Sequence, residues 1–175
     1  MAKTGDRFQM PDGSVYAVTR PAAATGGEYV EMEFVLPPGC TPPPPHVHPD
    51  QIEDYEVLEG SFEVNVEDEW RTLRAGESAS VPVGALHTFR NRSGAVVRLR
   101  NRHTPAVRFE DFIESMHGSL RAAGVRRGRD PRVFLLLPTV FEEFGDTLVA
   151  GPRQRPAIRA MARLGRVLGL RTASG

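Results

Sequence analysis

The apolar positions of this chain change period partway along. Through roughly residue 105 they recur every second residue; beyond it they recur every third or fourth. Between Tyr29 and Leu36 the residues Val30, Met32, Phe34 and Leu36 share one face, and Phe62, Val64 and Val66 repeat the pattern. Alternation of this kind predicts half-buried strands. Arg7 to Met10 and Val15 to Arg20 flank Pro11-Asp12-Gly13-Ser14, which reads as a hairpin turn. Ser78 to Pro82, His87 to Asn91 and Val96 to Arg102 complete the predicted strands, with Glu67 to Glu69 as an acidic turn. Short strands punctuated by Gly, Pro and Asn predict a sandwich or a barrel.

After Pro105, Phe109, Phe112, Ile113, Met116 and Leu120 fall at helical spacing, Glu110 and Asp111 supply acid to the first turn, and Gly124 supplies a stop. Val133 to Phe144 predicts a second helix, interrupted at Pro138. A third starts near Pro156, with Ile158, Met161, Gly165 and Leu168 on one face and Arg159, Arg163 and Arg166 on another. The chain is thus mainly β, with a barrel over residues 1–105 and a helical extension over 106–175. That extension is expected to pack on the barrel or on a partner subunit, within the same domain.

Composition narrows the partners. With 22 basic and 22 acidic residues the formal charge is zero, which gives no bulk attraction to nucleic acid. No apolar run approaches the length of a membrane span, and the first residues lack the pattern of a secretory signal. The lone cysteine, Cys40, has no partner for an internal disulfide. The expectation is a cytoplasmic protein without nucleic-acid or membrane partners.

Two segments carry candidate chemistry. In Gly39 to Gly60, His46 and His48 are two apart and share a strand face, Pro49 and Asp50 turn the chain, and Glu53 opens the next strand. In Gly76 to Asn91, Pro82 and Gly84 frame a tight turn before His87. A set dominated by imidazole with one carboxylate suits Fe, Mn, Ni, Zn, Cu or Co better than Ca or Mg.

These segments resemble the two motifs of the cupin superfamily. The first runs Gly, five residues, His-x-His, three or four residues, Glu, six residues, Gly. It is met at His46, His48, Glu53 and Gly60, with six residues instead of five after Gly39. The second, Gly, five residues, Pro-x-Gly, two residues, His, three residues, Asn, is met at Gly76, Pro82, Gly84, His87 and Asn91. The resemblance covers about Gly26 to Pro105. It implies a jelly-roll barrel in which His46, His48, Glu53 and His87 hold one divalent transition metal, with coordination sites left open for substrate or dioxygen. It also implies, as family habit, a homodimer.

Glu53 is the candidate catalytic group, as a carboxylate able to stay on the metal or act as a base. Gln51, Tyr55, Met32, Phe34, Phe89, Asn101 and His103 are candidate pocket residues because strand parity turns them towards the barrel interior. The expected function is a metal-dependent dioxygenase of small organic molecules, similar to quercetinases. The alternatives are a metal-dependent isomerase or cyclase, and a non-catalytic small-ligand or metal-binding module.

Overall fold

Strand β10 (Val97–Thr104) shows how sequence alternation becomes architecture. Val97, Leu99, Asn101 and His103 point inward and are buried, whereas Arg98, Arg100 and Arg102 point outward. Strand β10 lies between β3 (Val30–Leu36) and β5 (Ile52–Glu59), antiparallel to both. The first sheet is completed by β1 (Arg7–Gln9), β2 (Val15–Arg20) and β8 (Ser78–Val81), in the order β1-β2-β3-β10-β5-β8. The computed structural model describes residues 2–173.

The second sheet contains β4 (His46–Val47), β6 (Ser61–Val66), β7 (Glu69–Arg74), β9 (His87–Arg90) and β11 (Val149–Ala150), in the order β11-β4-β9-β6-β7. All pairings are antiparallel, and the two sheets form the jelly-roll expected. Between them Phe34, Tyr55, Phe62, Val64 and Leu99 are each at most 2 % exposed. Each such side chain contributes about 1.5–3 kcal/mol by leaving water.

Three helices follow: α1 (Phe109–Ala122), α2 (Val133–Glu143) and α3 (Arg155–Val167). They are not a separate body, since Phe112, Leu136, Val140, Phe144 and Ile158 belong to the same apolar cluster as the barrel residues. Gln51 secures the join, its Nε2 donating to the carbonyls of Pro105 and Ala106, both at 2.9 Å.

Several local expectations need correction. Pro138 does not interrupt the second helix, because α2 runs continuously through it. The carbonyl that loses an intrahelical donor is that of Phe134, in the first turn of the helix. Strand β7 was hidden because only Leu73 within it is buried, leaving no apolar alternation. The acidic turn is displaced accordingly: Glu67 and Asp68, both at positive φ, make it, and Glu69 already belongs to β7. Strand β11 is two residues long, below what periodicity can register.

Candidate metal centre and its pocket

His46 and His87 are cross-strand partners on β4 and β9, and His48 follows β4 directly. Glu53 comes from β5 in the opposite sheet, so the cluster bridges the barrel interior. One donor atom from each of the four residues lies within 4.8 Å of all the others, and all four residues are buried. Ligands ~2.1 Å from a shared ion lie at most ~4.2 Å apart, so small side-chain adjustments suffice.

The histidine tautomers are fixed by what their other nitrogens touch. The Nδ1–H of His46 donates to the Pro44 carbonyl at 2.9 Å, that of His87 to the Ala85 carbonyl at 2.9 Å, and that of His48 to the Thr147 carbonyl at 2.7 Å. A carbonyl oxygen only accepts, so Nδ1 carries the proton in each ring and Nε2 of the neutral imidazole presents a bare lone pair.

Those lone pairs converge on a carboxylate. Glu53 Oε2 lies 2.8 Å from His87 Nε2 and 3.6 Å from His48 Nε2, and none of these three buried atoms has a hydrogen-bond partner. Acceptors facing one another without a proton between them repel, and a cation among them removes the conflict. The donor set therefore fits a divalent transition metal on its own chemistry.

Electrostatics act differently on each member of the cluster. Burial would raise the Glu53 carboxyl, but the neighbouring His103, then His48 and His87, hold it well below the usual carboxylate range. Burial, then the neighbouring His87 and His48, keeps the His46 imidazole well below its ordinary value. Burial opposes protonation of His87 too, yet the Glu53 carboxylate brings it above its ordinary value.

The other oxygen of Glu53 is held from behind. Oε1 accepts from Asn101 Nδ2 at 2.8 Å and lies 3.2 Å from His103 Nε2. His103 is stacked on Phe109 of α1, with ring centroids 3.5 Å apart and planes 20° apart. The sequence placed Asn101 and His103 on the inward face of β10; only the register with β5 aligns His103 with Glu53.

An apolar pocket of about 350 Å³ opens from this cluster, with His46 and Glu53 in its wall. Phe34 and Phe89 line it from the barrel, and Pro42, Pro43 and Pro44 form one side. The remaining wall is helical: Phe109, Phe112 and Ile113 from α1, Leu137 and Phe141 from α2, and Ile158 and Met161 from α3. Met32, Gln51, Tyr55, Asn101 and His103 lie behind this lining, fully enclosed. The Tyr55 hydroxyl is buried without a hydrogen-bond partner, and burial, then Glu53, raises its pKa well above the ordinary value.

Sequence reasoning missed the contribution of the extension to the centre. The Thr147 carbonyl, placed by the turn that ends α2, orients His48. Strand β11 pairs Ala150 with His46, Gly151 N–H donates to the Pro45 carbonyl at 2.8 Å, and Phe141 meets the His46 ring edge-on at 6.4 Å. Backbone groups carry most of this, and a backbone carbonyl has no signature in residue identity.

Two antiparallel sheets closed around a His-x-His, Glu and His cluster define a jelly-roll barrel with a candidate metal centre. Residues 32–100, which lie within the barrel, match the family model described as a cupin domain, so this part of the chain is similar to cupins. An uncharacterised protein of Aquifex aeolicus (strain VF5) is 38 % identical over 55 residues, 31 % of this chain and 46 % of that protein, so the match spans just under half of the relative's length. Among solved structures, TT1209 from Thermus thermophilus is 25 % identical with a TM-score of 0.50, covering 58 % of this chain and 91 % of that one. An RmlC-like cupin from Shewanella frigidimarina NCIMB 400 is 23 % identical with a TM-score of 0.51, covering 62 % of this chain and 88 % of that one. The family match ends at residue 100, so α1, α2 and α3 lie outside it. No helix among the described residues is long and apolar enough to cross a membrane.

Proposed function

We propose that this chain is a metal-dependent enzyme that oxygenates a small organic substrate, a dioxygenase similar in chemistry to quercetinases. One observation carries the reading: three imidazoles and an ionised carboxylate converge where an apolar pocket meets the barrel interior. A divalent ion held by His46, His48, Glu53 and His87 would bind a carbonyl or phenol oxygen and, if it is Fe, Mn, Ni or Cu, admit dioxygen. Asn101 fixes the carboxylate, and the Pro44, Ala85 and Thr147 carbonyls fix the imidazole planes. Phe34, Phe89 and Phe141 exclude water from the reacting end of the substrate. Glu53 Oε2, without a hydrogen-bond partner among the described residues, would either stay on the ion or leave it to take and return a proton.

The clamp on Glu53 supports a second reading. A carboxylate held through Oε1 cannot swing freely, which suits isomerisation or cyclisation of an oxygenated substrate, or ligand binding without turnover. A cytoplasmic homodimer acting on small molecules, without nucleic-acid or membrane partners, completes the proposal.

The test is to purify the chain without added metal, measure its bound transition metals, and follow oxygen consumption with flavonols and catechols. Consumption that depends on bound metal and vanishes in Glu53→Ala supports the dioxygenase. A metal-loaded protein that consumes no oxygen with any candidate, and behaves identically as Glu53→Ala, sinks it.

A further inference from the structure

Building on the enzyme reading, we infer that the substrate is an uncharged, largely aromatic molecule with a single oxygen-bearing end, selected by the helical extension. The pocket lining is strongly one-sided in its chemistry. Among the described residues its side chains include no arginine or lysine, although 22 basic residues occur in the chain. The lining acids are Glu53, committed to the candidate metal cluster, and Asp12. Asp12 is itself engaged, its Oδ1 accepting from the Ser14 N–H at 3.0 Å and its Oδ2 from the Thr41 N–H at 2.9 Å.

A phosphate, sulfonate or second carboxylate on the body of a ligand would therefore leave water without gaining a cationic partner, a strongly unfavourable exchange. One end of the ligand is exempt, because an oxygen donor can reach the metal cluster beside His46 and Glu53. The rest meets rings. Phe34 lies edge-on to Tyr16 at 4.6 Å, Phe112 edge-on to Phe141 at 5.6 Å, and Phe34 tilted against Phe89 at 6.5 Å. Such walls accept the faces and edges of further aromatic rings. A volume of about 350 Å³ is at the small end of ligand pockets, enough for two or three fused or linked rings.

Specificity then resides largely outside the family match. Ile113, Met116, Leu137, Phe141 and Met161 come from α1, α2 and α3, and Phe134, lining the pocket yet 61 % exposed, marks its mouth. Two fluorescent probes that share a ring body test the inference on the full-length, metal-loaded protein: neutral N-phenyl-1-naphthylamine and the anionic 8-anilino-1-naphthalenesulfonate. The neutral probe should bind once per chain and at least tenfold more tightly than the sulfonate. Leu137→Trp, which fills the pocket, should abolish neutral-probe binding without loss of bound metal. Met116→Arg, at a half-buried position from which a long side chain can reach solvent, should strengthen sulfonate binding and weaken that of the neutral probe.

Equal or tighter binding of the sulfonate by the native protein would overturn the inference, as would an unchanged preference in Met116→Arg. The arginine variant decides the matter if Leu137→Trp does not fold. Neutral-probe binding with no oxygen consumption on any substrate would defeat the dioxygenase reading alone. Oxygen consumption on a dicarboxylate by a protein that ignores the neutral probe would defeat the substrate inference alone.

Discussion

The Nδ1–H of His48 donates to the carbonyl of Thr147 across 2.7 Å, joining a barrel histidine to a residue 99 positions later in the chain. The helical extension is thereby part of the metal centre, and disturbing it should be felt in metal affinity. Gly151 offers a clean way to do so. A Cβ there would come within 2.7 Å of Leu86 Cδ1, 2.8 Å of Gln154 Oε1 and 3.2 Å of the Pro45 carbonyl. Gly151→Val should crowd the Pro45 carbonyl beside β4 and weaken metal binding, by up to about tenfold, as loss of a group supporting a ligand commonly does. Competition with a chromophoric chelator measures this, and native affinity in the variant would refute the role given to β11.

Removing the amide that steadies Glu53 should have a comparable effect. Asn101→Ala deletes the 2.8 Å hydrogen bond to Oε1 and leaves that oxygen facing His103 alone. Metal affinity should fall about 10–100-fold, while the circular dichroism of the barrel stays unchanged.

Metal should stabilise the fold, since it resolves the confronted lone pairs of His48, His87 and Glu53. At a thousandfold excess over Kd the gain is about 4 kcal/mol, appearing as a rise in Tm reversed by a chelator. A melting temperature indifferent to metal would count against the four residues as a ligand set.

Acid should destabilise the metal-free protein through His103. Burial, partly offset by Glu53, pushes its imidazole down to about 4 from an ordinary 6.5. The unfolded chain thus takes up the proton more readily than the folded one, and acid favours unfolding. The contribution is fully present above pH 6.5 and is lost as pH falls towards 4, amounting to about 3 kcal/mol. Unfolding by urea across that range should show a shallower decline in His103→Phe.

Gly60 should resist substitution for a reason of backbone shape. Its φ is +86°, and a Cβ would meet the Val96 carbonyl at 2.8 Å where β5 turns into β6. Gly60→Ala should cost about 2 kcal/mol in a denaturant titration with no direct effect on the metal cluster.

The barrel and most of the cluster were legible for a shared reason. Strand parity fixes which side chains point inward, which put His46 and His48 on one face within reach of Glu53, and the resemblance to the cupin motifs joined His87 to them. Phe34 and Phe89 followed from the same parity and do line the pocket. Parity says nothing about depth, however, and Met32 and Tyr55 face inward behind the lining rather than into the pocket. The role of the extension was illegible because it acts through the Thr147 carbonyl and the pairing of β11, which residue types do not encode. The continuity of α2 through Pro138 was not legible either, because a proline inside a helical pattern reads as a break.

The outward face of β10 bears on how reliably the centre forms. Arg98 pairs with Glu33 and Glu59, Arg100 with Glu56, and Arg102 with Glu31. Each exposed pair alone is worth little. A slip of β10 by one residue, though, would drive three guanidinium groups into the apolar interior and expel Asn101 and His103. The arginines thus act as a ratchet on assembly, making the misaligned barrel so costly that His103 arrives opposite Glu53 and Asn101 within hydrogen-bonding reach of its carboxylate.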